Sequence, residues 1–368
     1  MTTNRFIVTK VEVWPIDIPL TDPFVVATGS RMTAENAFVR VTLANGAHGY
    51  GEMAPFPEVG GEDRTSSLVV ASQLAKAALG QPATHYQKLS CLFMEMAASH
   101  PASRCGLETA LLDALCRELH VPLWGFWGGA DIRNRETDIT IPITDVNRTI
   151  ALARGWHAKG FRLFKTKVGA DVEMDIRRLE ALHRALPDIG FIADANQGFT
   201  RDQCFHFVKE VKRSGANMVL LEQPVVREDL ESMAALRHDG GIPVAADESA
   251  RSIRDINEII QKGAADFINI KIMKSGLLNA KEMIAFARSS GLRLMIGGMV
   301  ETRMAMGCSF GLALGLGSFE FLDLDTPLLL ATDPVANGYR YDGPILHPWA
   351  GAGLGLEAES GAAVAIIE

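Results

Sequence analysis

Charged residues end a series of apolar segments in the second half of the chain. Lysines close two of them, FRLFKTK and ADFINIK, and carboxylates follow four others, among them IGFIADAN, NMVLLEQP and IPVAADES. With Gly297 marking the seventh segment, these positions recur roughly every 26 residues between Lys167 and Asp323. Lysines can accept or deliver protons and clustered carboxylates can hold a hard cation, so the pattern indicates proton transfer beside a metal ion.

A spacing of this size is the length of one strand plus one helix. With DITIPIT as the first strand, the segments make eight short apolar strands separated by helical stretches. This alternation is typical of a closed parallel barrel. In such barrels the active site lies at the carboxyl ends of the strands, where the charged residues fall.

The remaining sequence predicts a second domain. Residues 5–55 alternate as antiparallel strands do, residues 65–128 have helical spacing, and the chain ends on a short apolar strand, GAAVAIIE. We therefore predict an α+β capping domain over residues 1–132, onto which residues 333–368 pack. The α/β barrel domain then covers residues 133–332.

Composition excludes several classes of function. A net charge of -8 without any basic run argues against nucleic-acid binding and favours a small-molecule substrate. Five cysteines without a C-x-x-C pair suit reduced thiols. No secretory leader or membrane span is recognisable, so we expect a cytoplasmic protein, as a monomer or a homo-oligomer.

Three carboxylates are the candidate metal ligands. Asp194, Glu222 and Asp247 come from successive strands and would repel one another unless a cation neutralised them. An all-oxygen set without His or Cys favours Mg²⁺ over Ca²⁺, with one ion per subunit. Asn196 and Glu248 are candidates for supporting these ligands. The alternative is a metal-free cluster in which the barrel lysines neutralise the carboxylates.

Two lysines are the candidate acid and base. Lys167 and Lys271 lie on strands two and six, which are diametrically opposed in an eight-stranded barrel. A carbon between them could lose its proton on one face and regain one on the other, while the metal stabilises the intervening enediolate. Lys165 should lower the pKa of its neighbour by charge repulsion. A lysine forming a Schiff base is an alternative, but it leaves the carboxylates unexplained.

The motifs KTK, ADAN, LEQP, ADES and NIKIMKSG resemble those of the enolase superfamily, in its muconate-lactonizing-enzyme subgroup. The resemblance covers nearly the whole chain and implies a (β/α)₇β-type TIM barrel. It also implies Mg²⁺ on the three carboxylates and an acid/base pair of opposed lysines. The subgroup contains cycloisomerases, o-succinylbenzoate synthases, N-acylamino acid racemases and dipeptide epimerases. Leu277 departs from the motif, which usually has a second glycine there.

The eighth strand distinguishes among these activities. FLDLDTP places Asp323 and Asp325 on one face, similar to the D-x-D with which dipeptide epimerases bind the substrate's α-ammonium group. Two carboxylates can neutralise an ammonium, whereas N-acylated substrates and muconates have no such cation. We therefore predict a Mg²⁺-dependent epimerase that inverts the Cα of the C-terminal residue of an L,L-dipeptide. Another activity of the subgroup and a non-catalytic metal-binding barrel are the alternatives.

Further residues are candidates for binding the substrate. Thr140 and Lys165 could hold its carboxyl group, and Glu301, read as part of the seventh strand, could lie near the reacting carbon or a lysine. The segments DPFVVATGSRMTAE and PFPEVGGE are predicted lid loops. Arg31 in the first could contact the substrate, but its position does not favour an acidic side chain. Dipeptides with hydrophobic side chains and dipeptides with cationic side chains both remain possible substrates.

Overall fold

The structure is a computed structural model that describes residues 4–359, 361 and 363–368. For Asn4, Glu58 and Gly60 it describes the backbone only, so the side chain of Glu58 in the second predicted lid loop lies outside the described part. Within the described part, every helix is too short or too polar to cross a membrane.

An antiparallel sheet and a set of helices form the N-terminal unit. Its strands are β1 (Val8–Val26), β2 (Gly29–Leu43) and β3 (His48–Met53), and a short β4 (Arg135–Glu136) follows. Its helices are α1 (Pro57–Gly60), α2 (Arg64–Ala78), α3 (Tyr86–Met96), α4 (Pro101–Glu118) and α5 (Leu123–Phe126), with 3₁₀ turns at Asn4–Phe6 and Ala83–His85.

Glycines let α4 lie directly on the sheet. A Cβ at Gly49 would come within 2.0 Å of the Ala114 nitrogen, and one at Gly51 within 2.0 Å of the Gly106 oxygen. Because both obstacles are backbone atoms, a side chain at either position would push the helix away. The close packing of β3 on α4 therefore requires glycine.

Eight parallel strands in sequential order form the barrel. They are β5 (Ile139–Ile141), β6 (Leu163–Lys167), β7 (Gly190–Asp194), β8 (Met218–Glu222), β9 (Val244–Ala246), β10 (Phe267–Ile270), β11 (Arg293–Ile296) and β12 (Phe319–Leu322). The first and last strands meet where the Asp138 N–H donates to the Leu322 oxygen (3.0 Å) and the Leu324 N–H to Thr137 Oγ1 (2.9 Å). The sheet thus curls round on itself, as predicted.

Helices fill the seven connections between these strands. They are α6 (Val146–Ala158), α7 (Val172–Ala185), α8 (Arg201–Ser214), α9 (Leu230–Asp239), α10 (Ile253–Lys262), α11 (Ile272–Ser275) with α12 (Leu277–Ser289), and α13 (Arg303–Leu316). A 3₁₀ turn, Thr326–Leu329, follows the last strand, which confirms the (β/α)₇β type. Side chains of Asp, Ser or Thr accept backbone N–H groups at the first residues of six helices, worth about 1 kcal/mol each. The capping residues are Asp145, Asp171, Thr200, Asp229, Ser252 and Thr302.

The C-terminal segment contacts both units. Its strands are β13 (Val335–Asn337), β14 (Arg340–Asp342), β15 (Ile345–His347), β16 (Leu356–Ala358) and β17 (Ala365–Ile367). The last of these pairs with β1, whereas the Arg303 guanidinium of barrel helix α13 donates to the oxygens of Val335, Asn337 and Tyr339. The domain boundaries at residues 132 and 333 stay a prediction.

The hairpin of β1 and β2 covers the carboxyl end of the barrel. Its pairing is interrupted between Pro19 and Phe24, and there the chain turns to the segment after β12. Thr21 Oγ1 donates to the Leu329 oxygen (3.1 Å), and the Ala331 N–H donates to the Pro19 oxygen (2.8 Å). These contacts fix the first predicted lid loop over the strand ends.

Glu52 ties the N-terminal sheet to the barrel. Its buried carboxylate accepts from Asn36 Nδ2 (2.8 Å), from the N–H (3.0 Å) and Oγ1 (2.7 Å) of Thr302, and from the Ala305 N–H (3.1 Å). Asn36 Nδ2 also donates to the Val300 oxygen (2.9 Å). One side chain thus caps α13 and holds the loop that precedes it.

We expect Glu52→Ala to lower the free energy of unfolding by about 3 kcal/mol, because it leaves several buried donors without an acceptor. Urea titration followed by circular dichroism measures the loss. Glu35→Ala, at an exposed position of the same sheet, is the control and should change little. Equal stability of the two variants would show that Glu52 does not link the units.

Candidate active site

Twelve buried charged side chains lie at the ends of the barrel strands and in the adjoining loops. The lysines are Lys165, Lys167, Lys271 and Lys274, and the acids are Asp138, Asp194, Glu222, Asp247, Glu248, Glu301, Asp323 and Asp325. Among the described residues of this group, acids outnumber lysines by eight to four. Unpaired charges are costly to bury, so the excess must be met by bound protons or by cations.

Asp194 and Glu222 lie side by side with the lysines of the second strand. Lys167 and Asp194 are register partners in adjacent strands, as are Asp194 and Glu222. Lys167 Nζ lies 2.6 Å from Asp194 Oδ2, and Lys165 Nζ lies 3.1 Å from the same oxygen. Lys165 Nζ also lies 2.9 Å from Glu222 Oε2. Strand register therefore places two of the predicted ligands next to one predicted base.

Asp247 is held by two lysines. Lys271 Nζ lies 2.7 Å from Oδ2, and Lys274 Nζ lies 2.5 Å from Oδ1 and 2.6 Å from the Asp247 backbone oxygen. We did not predict Lys274. It follows Lys271 by three residues, and the short helix α11 turns it back into the barrel. That i, i+3 spacing was the available signal.

Ion pairs dominate the pKa values of these groups. Burial raises the pKa of Asp194, but Lys167 and Lys165 outweigh it and hold that pKa at about 2. For Glu222, burial and the charge of Asp194 raise the pKa to about 7. Burial lowers the pKa of Lys271, but Asp247 outweighs it and the net pKa is raised. The charge of Lys165 lowers the pKa of Lys271 as well, but by less than Asp247 raises it.

Oxygen atoms around the predicted ligands lack donors. Asn196 Nδ2 donates to Glu248 Oε1 (3.3 Å), while Asn196 Oδ1 and Glu248 Oε2 have no hydrogen-bond partner among the described residues. Burial and the charge of Asp247 raise the pKa of Glu248 to about 8. A hard cation with bound water would supply what these oxygens lack. The donor set therefore fits Mg²⁺.

A second acidic group lies between the last and the first strand. Oxygens of Asp138, Asp323 and Asp325 lie within 4.8 Å of one another. Asp323 Oδ2 accepts from Lys165 Nζ (2.7 Å), and Asp325 Oδ2 accepts the Thr140 N–H (2.6 Å). Asp325 Oδ1 has no hydrogen-bond partner in the described structure. Burial and the charge of Asp323 raise the pKa of Asp325 to about 7, so a cation is favoured here.

Asp138 is the member of this group that sequence reasoning missed. It is fully buried, and neither of its carboxyl oxygens has a hydrogen-bond partner within the described part of the chain. Burial and the charges of Asp323 and Asp325 raise its pKa well above the usual range. It directly precedes β5, two residues before Thr140, and this spacing within the predicted strand DITIPIT was the available signal.

A cavity lies directly above the charged groups. Lys167 and Lys271 line it from opposed strands, with Thr140, Asn196 and Asp323 beside them. Its upper wall is apolar and comes from the lid loops and the segment after β11. That wall contains Phe24, Val26, Phe56, Val59, Met299 and Val300.

We predicted Glu301 to lie on the seventh strand, and this prediction was wrong. β11 ends at Ile296, and Glu301 accepts the Met299 N–H (2.6 Å) in the loop before α13. The apolar run IGGMV was misread as strand, but its glycines form the loop. A Cβ at Gly297 would come within 2.8 Å of Asp323 Oδ2, so a side chain there would displace the Asp323 carboxylate.

Arg31 is placed differently from the other predicted site residues. Its guanidinium carbon lies 4.1 Å from the ring centre of Phe56, on the lid. The structure therefore brings it to the aromatic part of the cavity wall. Its role in binding substrate stays a prediction.

Comparison with known proteins identifies the family. The mandelate racemase / muconate lactonizing enzyme N-terminal domain matches residues 8–128, and the enolase C-terminal domain-like family matches residues 148–362. This chain belongs to that family of the enolase superfamily, as the motifs indicated. An aromatic dipeptide epimerase from Herpetosiphon aurantiacus is 43% identical over 342 residues, which cover 93% of this chain and 96% of the relative.

Solved structures agree with the sequence comparison. A mandelate racemase/muconate lactonizing protein from Herpetosiphon aurantiacus superimposes with a TM-score of 0.94 at 41% identity, over 97% of this chain and 99% of the other. A dipeptide epimerase from Enterococcus faecalis, complexed with Mg and L-Leu-L-Tyr, gives 0.91 at 30% identity, over 95% and 99%. The chain is thus an isomerase of a family whose members use Mg²⁺, which confirms both expectations.

We expect Mg²⁺ to stabilise the folded protein, because a ligand that binds only the native state adds about 2.7 kcal/mol at 100 times its Kd. Thermal unfolding with Mg²⁺ and with EDTA measures the shift. Asp247→Asn should lose the shift, whereas Asp239→Asn, on the exposed end of α9, should keep it. Equal midpoints for the native protein in Mg²⁺ and EDTA would contradict the site.

Proposed function

We propose that this protein is a Mg²⁺-dependent dipeptide epimerase that inverts the Cα of the C-terminal residue of an L,L-dipeptide with apolar side chains. One observation carries the proposal. Lys167 and Lys271 line a single cavity from opposed strands, and the acidic pair Asp323 and Asp325 lies at its edge. Substrates with an acidic proton and an ammonium group match both features.

Asp194, Glu222 and Asp247 would hold the Mg²⁺, supported by Asn196 and Glu248. When bound, the ion supplies positive charge that stabilises the negative charge developing on the substrate carboxyl group. Lys165 contacts two of these carboxylates and Asp323 as well. It would hold the metal ligands and Asp323 in place between the binding positions of the substrate carboxyl group and the substrate ammonium.

The two lysines would carry the proton transfer. One lysine, neutral, accepts the α-proton from one face of the carbon, and the other, protonated, delivers a proton to the opposite face. Each side chain is buried, at 5% and 6% exposure for Lys167 and Lys271, so bulk water competes poorly for these positions. The carbon regains its hydrogen with inverted configuration, and the exchanged protons balance.

The N-terminal ammonium of the dipeptide would lie against Asp323 and Asp325. Asp325 keeps one oxygen without a hydrogen-bond partner among the described residues, and the Thr140 N–H fixes the other. An ammonium donates hydrogen bonds to such oxygens and cancels part of their charge. An acylated nitrogen carries no positive charge and keeps only one N–H donor, which disfavours N-acylamino acid racemisation.

The cavity wall would select the side chain of the C-terminal residue. Phe24, Phe56 and Met299 face the space above the two lysines. Burying a large apolar side chain against such a wall contributes about 2 kcal/mol. The aromatic dipeptide epimerase named above is 43% identical to this chain, which supports the same preference.

Replacing either Lys167 or Lys271 by methionine should lower the rate of epimerisation at least about 10³-fold, because one face of the carbon loses its acid or base. Proton NMR of L-Ala-L-Phe in D₂O with Mg²⁺ measures deuterium uptake at the C-terminal Cα and formation of the L,D product. Lys262→Met, on the exposed side of α10, is the control. Normal turnover by either site variant would refute the two-lysine mechanism.

Asp325→Asn should lower kcat/KM for L-Ala-L-Phe about 100-fold, because a charge-assisted contact to the ammonium is lost. Steady-state kinetics of the same dipeptide and of its N-acetyl form measure the effect. The N-acetyl form should be poor with the native protein and respond little to the substitution. If both substrates lose activity equally, the acidic pair does not recognise the ammonium; Asp342→Asn, at an exposed position, is the control.

A further inference from the structure

A second cavity adjoins the one above the lysines. Apolar side chains from the lid, the first barrel helix and the segment after β12 surround it, chiefly Leu20, Pro23, Pro142, Leu152, Trp156 and Leu329. Phe24 and Thr140 line both cavities and so form their common wall. The two spaces are therefore neighbours within one binding region.

The second cavity exists because the lid hairpin is interrupted. Pairing of β1 with β2 stops between Pro19 and Phe24, and Leu20 instead bridges Leu330. Farther along, the Ile143 N–H donates to the Val25 oxygen (3.0 Å), which returns the lid to the barrel beyond the gap. Backbone contacts thus hold both ends of the segment while its side chains enclose a space.

The walls of this cavity suit an apolar group. Asp22 contributes a charge at the wall, but Arg148 of α6 forms an ion pair with it. Trp156 packs edge-on against Phe161, with ring centres 5.5 Å apart, so its position is fixed. A ligand that enters this cavity would contact apolar side chains and an ion pair without net charge.

The acidic pair determines which group can reach this space. Thr140, in the common wall, donates its N–H to Asp325 Oδ2 (2.6 Å). In a dipeptide the ammonium and the side chain of the N-terminal residue branch from the same carbon. A substrate whose ammonium lies against Asp325 therefore directs that side chain to the neighbourhood of Thr140, while its C-terminal Cα lies between the lysines.

We propose that the second cavity is the subsite for the side chain of the substrate's N-terminal residue, and that it selects a large apolar side chain such as that of leucine. The inference rests on the proposed dipeptide epimerase function. It assigns the choice of N-terminal residue to Leu152 and Trp156 of α6, which lie outside the cavity of the two lysines. The C-terminal residue is selected separately by the first cavity.

The test compares L-Leu-L-Phe with L-Ala-L-Phe, which share the reacting residue. The native protein should have a kcat/KM at least about tenfold higher for L-Leu-L-Phe, since each methylene in an apolar pocket changes discrimination by about tenfold or more. Leu152→Trp fills the cavity and should lower this ratio at least about tenfold. Leu152→Ala enlarges the cavity and should shift the preference towards L-Phe-L-Phe.

Ala151→Trp is the matched control, because Ala151 is the exposed neighbour of Leu152 on the same helix. It should leave the ratio at the native value. A purely structural role of Leu152 would lower kcat/KM for all three dipeptides alike and move no ratio, which would overturn the subsite alone. If the folded, Mg²⁺-loaded native protein inverts none of them, the epimerase proposal itself fails.

Discussion

Neutralisation of buried carboxylates is the constraint on which this site depends. Eight acids and four lysines are buried at the ends of the barrel strands and in the adjoining loops. Lysines neutralise the acids nearest to them, and the rest, such as Glu248 and Asp325, have raised pKa values because burial and neighbouring acids disfavour a further negative charge. The folded protein therefore buries more acidic groups than its own lysines can neutralise. Cations are thereby favoured as ligands.

The order of the barrel strands divides these acids into two regions. The carboxylates of strands three to five lie on one side, and the acids of strands eight and one lie on the other. Lys167 on strand two and Lys271 after strand six lie between the two regions and face a common cavity. In the proposed reaction, this arrangement would orient a substrate that has a carboxyl group at one end and an ammonium at the other. Its acidic carbon would then lie between the two lysines.

The repeated spacing of charged residues was sufficient to predict the barrel, because each strand end must present its side chains to one shared surface. It also located Asp194 and Glu222, which strand register places together. The same reasoning failed where backbone leaves the regular pattern. Two glycines end the seventh strand early and move Glu301 into a loop, and a one-turn helix returns Lys274 to the barrel. Alternation indicates the face of a strand, not the path of a loop.

In the proposed function, the cavity walls select the side chains of the substrate. These walls form through contacts between residues far apart in sequence. The sequence therefore predicted the lid loops but not the residues that line the cavities. Leu20 meets Leu330, and Asn36 and Glu52 hold the loop before α13. These contacts join the lid to strands seven and eight and leave the two lysines on their own strands. Substitutions in the apolar walls could therefore change which side chain fits without displacing the two lysines. In the proposed function, lid and barrel thus have separate tasks, because the lid selects the dipeptide side chains and the barrel carries the proton transfer.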